Sequence, residues 1–419
     1  MLDIKFIRDH AAEVKTGVIN KNLDPQIVDD VLTLDQKRRE LLTQSQAIRQ
    51  ERNRLDDSLK TTRTPELIEQ SKSLKTKLQQ LETDLKTVDG QYSTAIHQIP
   101  NLPDASVPIG KDESGNREIR KWGTPRQFDF PIKDHLELGK TLNILDFETG
   151  AKVTGSQFYF LYNAGALLEL ALVQYAMQKL NHLGFTPVIT PDLAKSRFYL
   201  GTGYAPHGKE AQTYTIEGQD LGLIATAEVT LAGKHADEVI PAAKLPLKYV
   251  GYSHCFRQES GAYGKYSKGL YRVHQFTKVE MFIYCLPEDS AKFHQEILGF
   301  EESIYQELDL PYRVVEMCTG DLGAQATKKY DIEAWMPGRG DYGEVTSTSN
   351  CTDYQARNLN IKYKDNHGKT GYVHMLNGTA LVSSRVPLAI LENYQQADGS
   401  ITIPECLVPY VGFAKISKP

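Results

Sequence analysis

The sequence has few of the residues that mark secreted, disulfide-linked proteins. Its 419 residues include five cysteines, at scattered positions and without a pair at CxxC spacing. Because an odd and dispersed set of cysteines does not form a disulfide framework, we expect reduced thiols and a cytoplasmic protein. The amino end has early acidic residues and no apolar core, so we predict no secretion signal.

Long hydrophobic runs and a strong charge bias are also missing. The most apolar segment, 158–180, is interrupted by Asn163, Glu169 and Gln174, so it predicts a buried helix and no membrane partner. A formal net charge of -5 gives no overall basic field, and a polyanionic partner would need local patches. The length, with 40% hydrophobic residues, predicts two or more globular domains.

Apolar residues recur at heptad spacing in the first hundred residues. One series runs from Ile27 to Leu55 and a second from Leu67 to Ala95, with Pro65 between them. This spacing is typical of a coiled-coil seam, and a proline break lets the second helix fold back on the first. The first series is interleaved with arginine and serine, so its seam is narrow. The pattern predicts an antiparallel two-helix arm.

We place this arm in an amino-terminal domain of residues 1–100, with the coiled coil at about 27–98. Proline and glycine mark a linker at 101–120, and a second domain occupies 121–419. The arm has two interpretations: a dimerisation or spacer coiled coil, or a probe that lies along RNA. Its basic residues favour RNA, but acidic residues are equally numerous, so charge does not decide between them.

The second domain predicts an α+β fold, with a mainly antiparallel sheet and flanking helices. Its short apolar runs are rich in β-branched and aromatic residues and are separated by short turns. The predicted strands lie near 246–256, 273–285, 312–318, 331–336, 342–349, 357–363 and 370–376, and the predicted helices near 160–183, 287–308 and 379–395.

One segment, 256–282, has the pattern of a strand, a glycine-rich basic loop and a return strand. Arg257 and Glu259 lie at the end of the first strand, and Arg272 and Phe276 lie on the return strand. Side chains two residues apart share a face of a strand, so these groups point the same way. An arginine fork, an aromatic ring and a carboxylate together suit ATP. The alternative is an amphipathic hairpin with a solvated charged face.

Two further acidic residues suggest a small polar pocket. Thr226 and Glu228 are two residues apart and could grip an ammonium group from one strand face, or form an ordinary strand end. Glu280 stands in a run of apolar residues, where an acid is rarely buried alone. We expect it to face a polar cavity or to pair with a lysine such as Lys278.

A third group of polar residues suits phosphate chemistry. Glu344 and Ser347 offer the hard oxygen ligands that Mg²⁺ prefers when it bridges phosphates. Downstream, a predicted strand ends at Asn377 to Thr379 and a helix begins, which would project Arg385 towards the same region.

These segments, in this order, resemble the three motifs of class II aminoacyl-tRNA synthetases. Residues 184–193 resemble motif 1, residues 256–282 motif 2 and residues 376–399 motif 3. The sequence of the motif 2 segment is most similar to that of bacterial-type seryl-tRNA synthetases. The sequence departs from the family at Ser383-Ser384, where glycine or proline usually precedes the arginine. It also has lysines, Lys265 and Lys268, where arginine is common.

The resemblance implies a serine–tRNA ligase that uses ATP and Mg²⁺, without zinc, and acts as a homodimer. Its tRNA partners would be tRNA(Ser) and selenocysteine tRNA, contacted through the arm. Arg257 and Arg385 would be catalytic, and Glu344 and Ser347 would hold Mg²⁺. The implied ATP-binding residues are Arg257, Gln258, Glu259, Arg272, Val273, Phe276, Glu344, Val345, Thr346, Ser347 and Arg385. The implied serine-binding residues are Thr226, Ala227, Glu228, Arg257, Glu280, Asn377 and Thr379.

Two other functions remain open at this point. A synthetase-like paralogue would aminoacylate an acceptor other than tRNA, and such paralogues lack the long arm. A non-catalytic coiled-coil RNA-binding protein would have no reason to combine Arg257, Glu259, Glu344 and Arg385 in one chain.

Overall fold

The structure is a computed structural model that describes residues 1–204, 213–259 and 268–418. The chain divides into two compact units, Met1–Leu102 and Pro103–Pro419. Within the described ranges, no helix combines the length and apolar character needed to cross a bilayer.

The first unit is helical, and its two long helices form a hairpin. The chain turns between them at 62–64, and Pro65 takes the first position of the second helix, where a proline needs no hydrogen-bond partner. The Thr64 hydroxyl caps this helix by accepting from the Leu67 amide at 3.3 Å. The helices are α1 (Ile4–Asp9), α2 (Ala11–Asn20), α3 (Gln26–Thr61) and α4 (Pro65–Ile96).

The contact between α3 and α4 is part apolar and part ionic. Ile48, Leu78 and Leu81 form a buried apolar cluster between the helices. Elsewhere the narrow first seam is completed by ion pairs: Arg38 contacts Asp89 at 2.5 Å, and Arg49 contacts Glu82 at 2.8 Å. The predicted helical hairpin is therefore confirmed, and charged pairs take the place of missing apolar residues.

The second unit is built on an eight-stranded sheet. Every neighbouring pair in this sheet is antiparallel except one, the parallel pair formed by the strands Thr186–Ile189 and Leu247–Phe256. The strands follow the order β1 (Arg117–Trp122), β10 (Tyr312–Glu316), β11 (Lys328–Met336), β12 (Asp341–Asn350), β15 (His374–Val382), β9 (Gln275–Cys285), β8 (Leu247–Phe256) and β4 (Thr186–Ile189).

Short strands and helices complete this unit. The short strands are β2 (Leu145–Asp146), β3 (Phe160–Leu161), β5 (Leu193–Ala194), β6 (Gly222–Leu223), β7 (Val239–Pro241), β13 (Lys362–Lys364), β14 (Thr370–Tyr372), β16 (Ile401–Thr402) and β17 (Lys415–Ile416). The helices are α5 (His135–Thr141), α6 (Phe147–Val153), α7 (Asn163–His182), α8 (Ser196–Thr202), α9 (Glu228–Gly233), α10 (Ser290–Glu307), α11 (Tyr354–Leu359), α12 (Arg385–Asn393) and α13 (Val408–Val411).

The central strand β9 has two differently packed faces. Val279, Met281 and Ile283 belong to the main core, to which α7, α10 and α12 also contribute. The alternate residues face the other way, and among them Phe282 packs in a second cluster with residues of α9 and α11. Further along that second face, towards the start of β9, lie Phe276, Lys278 and Glu280, which bound the candidate site.

Two predicted elements of the second unit are wrong. The strand expected at 357–363 begins with the last turn of helix α11 and contains only the first two residues of the short strand β13. The helix expected at 379–395 begins at Arg385, because β15 continues to Val382. Residues 375–382 are all buried, so their sequence has no alternation that would distinguish a strand from a buried helix.

The segment that we assigned to a linker, 101–120, contacts the second unit and contributes to its sheet. The Asp104 amide donates to the Thr327 carbonyl at 2.9 Å, and the Gly110 amide donates to the Thr319 hydroxyl at 3.3 Å. Strand β1 then pairs with β10 from Arg117 onwards.

Candidate active site

A cavity of about 400 Å³ opens on the second face of the sheet. Its wall comes from the β8–β9 hairpin, from β12 and β15, and from the start of α12. Four predicted site residues, Thr226, Ala227, Gln258 and Glu280, are absent from its lining. The structure brings the other predicted residues to this one cavity: Glu228, Arg257, Glu259, Arg272, Val273, Phe276, Glu344, Val345, Thr346, Ser347, Asn377, Thr379 and Arg385.

Arg257 directly follows strand β8 and points across the hairpin. Its guanidinium carbon lies 5.2 Å from the centre of the Phe276 ring, and its Nε donates to the Ala225 carbonyl at 3.4 Å. Its backbone amide donates to the His274 carbonyl, which continues the hairpin beyond the assigned strand. The planar ring and the forked cation therefore form one corner of the cavity.

The strand alternation predicted for this hairpin does not hold at Glu259. This residue has a backbone φ of +49°, so the chain has left the strand before it. Its carboxylate nevertheless reaches Arg272 on the other side of the hairpin, at 2.8 Å. Gln258 turns away and donates to the Thr213 carbonyl at 3.1 Å, and His274 hydrogen-bonds the Arg257 carbonyl instead of facing the cavity.

The return side of the hairpin is also not strand where we predicted it. Strand β9 begins at Gln275, and Arg272 and Val273 follow a 3₁₀ turn at Gly269–Tyr271. Residues 260–267, which include Lys265, lie outside the described residues. The positions of the hairpin side chains therefore depend on turn geometry, which simple alternation cannot predict.

Arg385 and Glu344 form an ion pair on the cavity wall. The guanidinium contacts the carboxylate at 3.1 Å, and it also donates to the Glu344 and Tyr271 carbonyls. The Tyr271 ring lies 4.9 Å from the guanidinium carbon. Burial raises the pKa of the Glu344 carboxyl, but the charges of Arg385, Lys329 and Arg257 outweigh burial and lower it. Glu344 is therefore an anion, as a cation ligand must be.

A β-bulge in β12 places Glu344 and Ser347 on the same cavity. Ser347 is opposite Asp331 and Thr346 is opposite Ile332, but the next pair joins Glu344 to Glu333, so Val345 is the extra residue. Without the bulge, residues three apart would point to opposite faces. Among the described residues, no group of three or more His, Cys, Asp and Glu side chains could hold a metal ion.

The prediction that Thr226 and Glu228 share a strand face is wrong. Glu228 is the first residue of helix α9, and its amide donates to the Thr226 hydroxyl at 3.2 Å. A threonine hydroxyl can satisfy an amide at the start of a helix, and here that local bond replaces extended structure. Both side chains are buried, and Glu228 reaches the cavity while Thr226 and Ala227 lie behind it.

The Glu228 carboxylate is held by three side chains from separate elements. Gln355 donates to Oε1 at 2.7 Å, Asn377 donates to Oε1 at 2.9 Å, and the Tyr204 hydroxyl donates to Oε2 at 3.1 Å. Burial, followed by the nearby charge of Glu280, raises the pKa of Glu228 to about 7. The carboxylate is therefore fixed in place and poised to gain from a cation in the cavity.

Glu280 lies just behind the cavity wall and is 1% exposed. Its carboxylate contacts the Lys278 ammonium at 2.5 Å and accepts from the Thr379 hydroxyl at 3.2 Å. Of the two surroundings that the sequence predicts for Glu280, the structure has the lysine pair. Lys278 and Thr379 line the cavity, so Glu280 influences a molecule bound there through these two side chains.

The sequence analysis did not single out three residues at or next to the cavity. Tyr204 and Tyr271 line it, and Gln355 contacts Glu228 from behind its wall. Gln355 is fully buried in α11, just before the segment 357–363 where the sequence analysis predicted a strand. Their roles as partners of Glu228 and Arg385 depend on long-range contacts, which a single sequence does not reveal.

Comparison with protein families gives two matches that cover most of the chain. The family described as "Seryl-tRNA synthetase N-terminal domain" matches residues 1–103. The family described as "tRNA synthetase class II core domain (G, H, P, S and T)" matches residues 213–394.

Full-length relatives agree with these matches. The "Serine--tRNA ligase" of Treponema denticola is 51% identical over 99% of this chain and 100% of its own length. The protein of the same name from Dictyoglomus turgidum is 51% identical over 99% of both chains.

Solved structures give the same result. The seryl-tRNA synthetase from Pyrococcus horikoshii, complexed with ATP, has 41% identity and a TM-score of 0.92, with 100% of both chains covered. The cytoplasmic serine-tRNA ligase from Naegleria fowleri, in complex with AMP, has 33% identity and a TM-score of 0.86, with 100% of this chain and 99% of the other covered. The chain therefore belongs to the seryl-tRNA synthetase family of class II aminoacyl-tRNA synthetases.

Proposed function

We propose that this protein is a serine–tRNA ligase. It joins L-serine to ATP, which gives seryl-adenylate and pyrophosphate, and then transfers the seryl group to the 3′ end of tRNA(Ser). Selenocysteine tRNA is a second proposed acceptor. The observation that carries this proposal is one cavity with two chemically different ends: arginines with an aromatic ring at one end, and the buried, hydrogen-bonded Glu228 at the other, where Glu280 lies just behind the wall.

The arginine end suits ATP. Arg257 would hold the α-phosphate, Arg272 the other phosphates, and Glu259 the adenine amine. Phe276 would stack on one face of the base, and Arg385 would cover the other face and the γ-phosphate. Forked guanidinium contacts suit phosphate oxygens, and a flat ring suits a base. The remaining proposed ATP contacts are Gln258, Val273, Val345 and Thr346.

Glu344 and Ser347 are the proposed protein ligands of Mg²⁺. The bulge in β12 brings both to the cavity, and the pKa of Glu344 is lowered, so the donor set fits a hard cation. Mg²⁺ commonly takes one or two protein ligands and completes its shell with substrate phosphates and water. When bound, it would neutralise phosphate charge.

The acidic end suits the amino acid. Glu228 would pair with the ammonium group of serine, with Thr226 and Ala227 supporting it, and Arg257 would hold the carboxylate. Glu280 and Thr379 would receive the serine hydroxyl, and Asn377 would keep Glu228 in place. This set uses acids and hydroxyls to recognise serine directly, so we propose a pocket without zinc.

The reaction needs no protein nucleophile, because the serine carboxylate attacks the α-phosphorus itself. A bond forms between a serine carboxylate oxygen and the α-phosphorus as the bond from the α-phosphorus to the pyrophosphate oxygen breaks. The protein contributes by holding both substrates in line and by neutralising charge on the phosphates. Arg257 and Arg385 are the proposed catalytic residues because they would contact the reacting phosphates.

We propose that the helical hairpin binds tRNA(Ser). Its length and its exposed basic residues, such as Arg49 and Lys75, suit contacts with an RNA backbone. Because translation consumes charged tRNA, we propose that the enzyme works in the cytoplasm, where the five free thiols would remain reduced.

We also propose that the enzyme is a homodimer. The motif 1 region carries large apolar side chains at the surface: Leu170 of α7 is 63% exposed and Ile189 of β4 is 80% exposed. These two elements contact each other, and β4 is the edge strand of the main sheet. Exposed apolar residues on an edge strand favour an interface between subunits.

A deletion in the arm separates the two steps of the reaction. Arg38 pairs with Asp89 across the hairpin, so removing residues 42–85 and joining Leu41 to Lys86 through a short turn keeps the helices in register. We expect serine-dependent ATP–pyrophosphate exchange within about twofold of the full chain, and loss of most tRNA(Ser) charging, since backbone contacts supply much of RNA affinity.

The same pair of assays tests the alternatives. Charging at the full-chain rate by the deletion protein would make the arm a spacer. An enzyme that activates serine but charges no tRNA would support the paralogue with another acceptor. A full chain without serine-dependent exchange would overturn the proposed ligase and favour the non-catalytic RNA-binding protein.

A further inference from the structure

A buried histidine–glutamate pair lies next to the ATP end of the cavity without lining it. His135 is 7% exposed and Glu392 is 3% exposed. The Glu392 Oε1 accepts from His135 twice, from Nδ1 at 2.9 Å and from the backbone amide at 3.1 Å. Its Oε2 accepts from the Gly338 amide at 2.8 Å. One carboxylate therefore joins three segments of the chain.

The second ring nitrogen of His135 contacts the turn of the β8–β9 hairpin. Nε2 lies 3.2 Å from the Leu270 backbone nitrogen, which must donate, so Nε2 is the acceptor and Nδ1 carries the proton. Gly269, next to Leu270, has a φ of +62°, and a Cβ there would stand 2.2 Å from Nε2. The turn is thus closed against the imidazole with room for glycine alone.

Both ends of this network carry proposed ATP contacts. Glu392 lies seven residues after Arg385 in α12, so the two residues share one face of that helix. Leu270 lies in the turn that carries Tyr271 and Arg272. The Tyr271 ring is 4.9 Å from the Arg385 guanidinium, and Arg272 pairs with Glu259 at 2.8 Å. The network therefore connects the helix that bears Arg385 to the turn that bears Arg272.

We propose that His135 and Glu392 are positioning residues for ATP. They hold the Gly269–Tyr271 turn against α12, so that Arg272 and Arg385 stay at one spacing for the phosphates. This inference rests on the proposed function, because it assigns these arginines to ATP. Neither residue lines the cavity, so their effect reaches ATP through the turn and the helix.

Two substitutions separate the halves of the His135 contact. In His135→Gln, the amide oxygen can take the place of Nε2 and accept from Leu270. In His135→Asn, the shorter amide can take the place of Nδ1 and donate to Glu392, but nothing reaches Leu270. His367 is exposed in the turn between β13 and β14, and His367→Gln and His367→Asn are the matched controls.

The assay is serine-dependent ATP–pyrophosphate exchange, with KM measured for each substrate and with thermal melting measured alongside. We expect His135→Asn to raise KM for ATP about tenfold, the effect of one lost buried hydrogen bond. KM for serine should stay within about twofold of the parent value. His135→Gln keeps an acceptor for Leu270, so its KM for ATP should lie close to that of the parent protein. The two control variants should match the parent protein.

Three results would overturn the inference. These are equal ATP defects in the Gln and Asn variants, parallel increases in both KM values, or a lower melting temperature with unchanged KM for ATP. If His135→Asn does not fold, Glu392→Gln keeps the shape of the network and removes its charge. An unchanged KM for ATP in that variant would also overturn it. Failure of the parent protein to exchange at all would instead refute the proposed function.

Discussion

The two ends of the cavity are built in different ways. At the serine end, Glu228 and Glu280 are 2% and 1% exposed, and protein side chains already hydrogen-bond both carboxylates. At the ATP end, the charged groups are more open: the Glu344 side chain is 41% exposed and that of Arg272 is 31% exposed.

The difference fits what each end is proposed to recognise. A small amino acid offers few contacts, so discrimination needs rigid polar groups that would be left unpaired by the wrong substrate. A triphosphate brings a large, flexible charge, and arginines on turns can surround it. We infer that the serine end is specified mainly by buried hydrogen bonds and the ATP end by the positions of turns and helix ends.

The largest effect is expected from substitutions at the ATP end. Arg257→Ala and Arg385→Ala should each lower serine-dependent exchange by on the order of 10³-fold or more, because each removes a charge that acts on the phosphates in the transition state. Arg197→Ala removes a half-exposed arginine that pairs with Asp237 and is the matched control. Size-exclusion chromatography checks that the assembly is intact. Retention of a tenth of the activity by either variant would contradict its phosphate role.

A somewhat smaller effect is expected when Glu280, the proposed partner of the serine hydroxyl, is removed. Glu280→Ala should cost ~2–4 kcal/mol of transition-state stabilisation, since a charged hydrogen bond is lost and Lys278 is left without its carboxylate. Steady-state exchange with serine measures this loss, and Glu288→Ala, at an exposed acid beyond the same strand, is the control. Near-normal exchange in a folded Glu280→Ala protein would refute the assignment.

The smallest effect, a pH dependence, sharpens the comparison. Burial raises the pKa of Glu228 to about 7, so below that pH its carboxyl is protonated and cannot pair with the ammonium of serine. Therefore kcat/KM for serine should rise with pH, by about tenfold per unit at most, and level off above about 7. The residual activity of Glu228→Gln should no longer rise with pH in this range. If the rise persists unchanged, another group causes it.

The apparent pKa of this profile should differ between the two kinetic parameters, kcat and kcat/KM for serine. A bound ammonium stabilises the Glu228 carboxylate, so the limb in kcat with saturating serine should shift to lower pH. If kcat and kcat/KM for serine had the same apparent pKa, Glu228 would not be the ammonium partner.

Sequence reasoning predicted much of the fold, and most of the residues that it assigned to the site line one cavity. The helical hairpin was readable because Leu67, Leu74 and Leu81 repeat at a period that belongs to helices. The antiparallel sheet was readable because short turns separate its strands. The end of β15 was not, because a strand buried on both faces has no alternating pattern.

Within the site, the errors arose where local backbone geometry changes direction. Glu259 adopts a positive φ, so counting residues along the strand gives the wrong face there. Thr226 closes the first turn of α9 and ends the extended structure. The partners Gln355 and Tyr204 come from distant segments, and no pattern in one sequence brings them to Glu228.

The central claim is that a rigid, buried pair of polar groups selects serine. The most direct measurement is ATP–pyrophosphate exchange by the full chain with serine, alanine and threonine, compared as kcat/KM. Alanine leaves Glu280 and Thr379 without the hydroxyl, and comparable sites discriminate by ~10⁴–10⁵. We predict a serine preference of that order over alanine. Alanine used within about tenfold of serine would contradict the account, whereas threonine, which keeps the hydroxyl, reports only on the room for its methyl group.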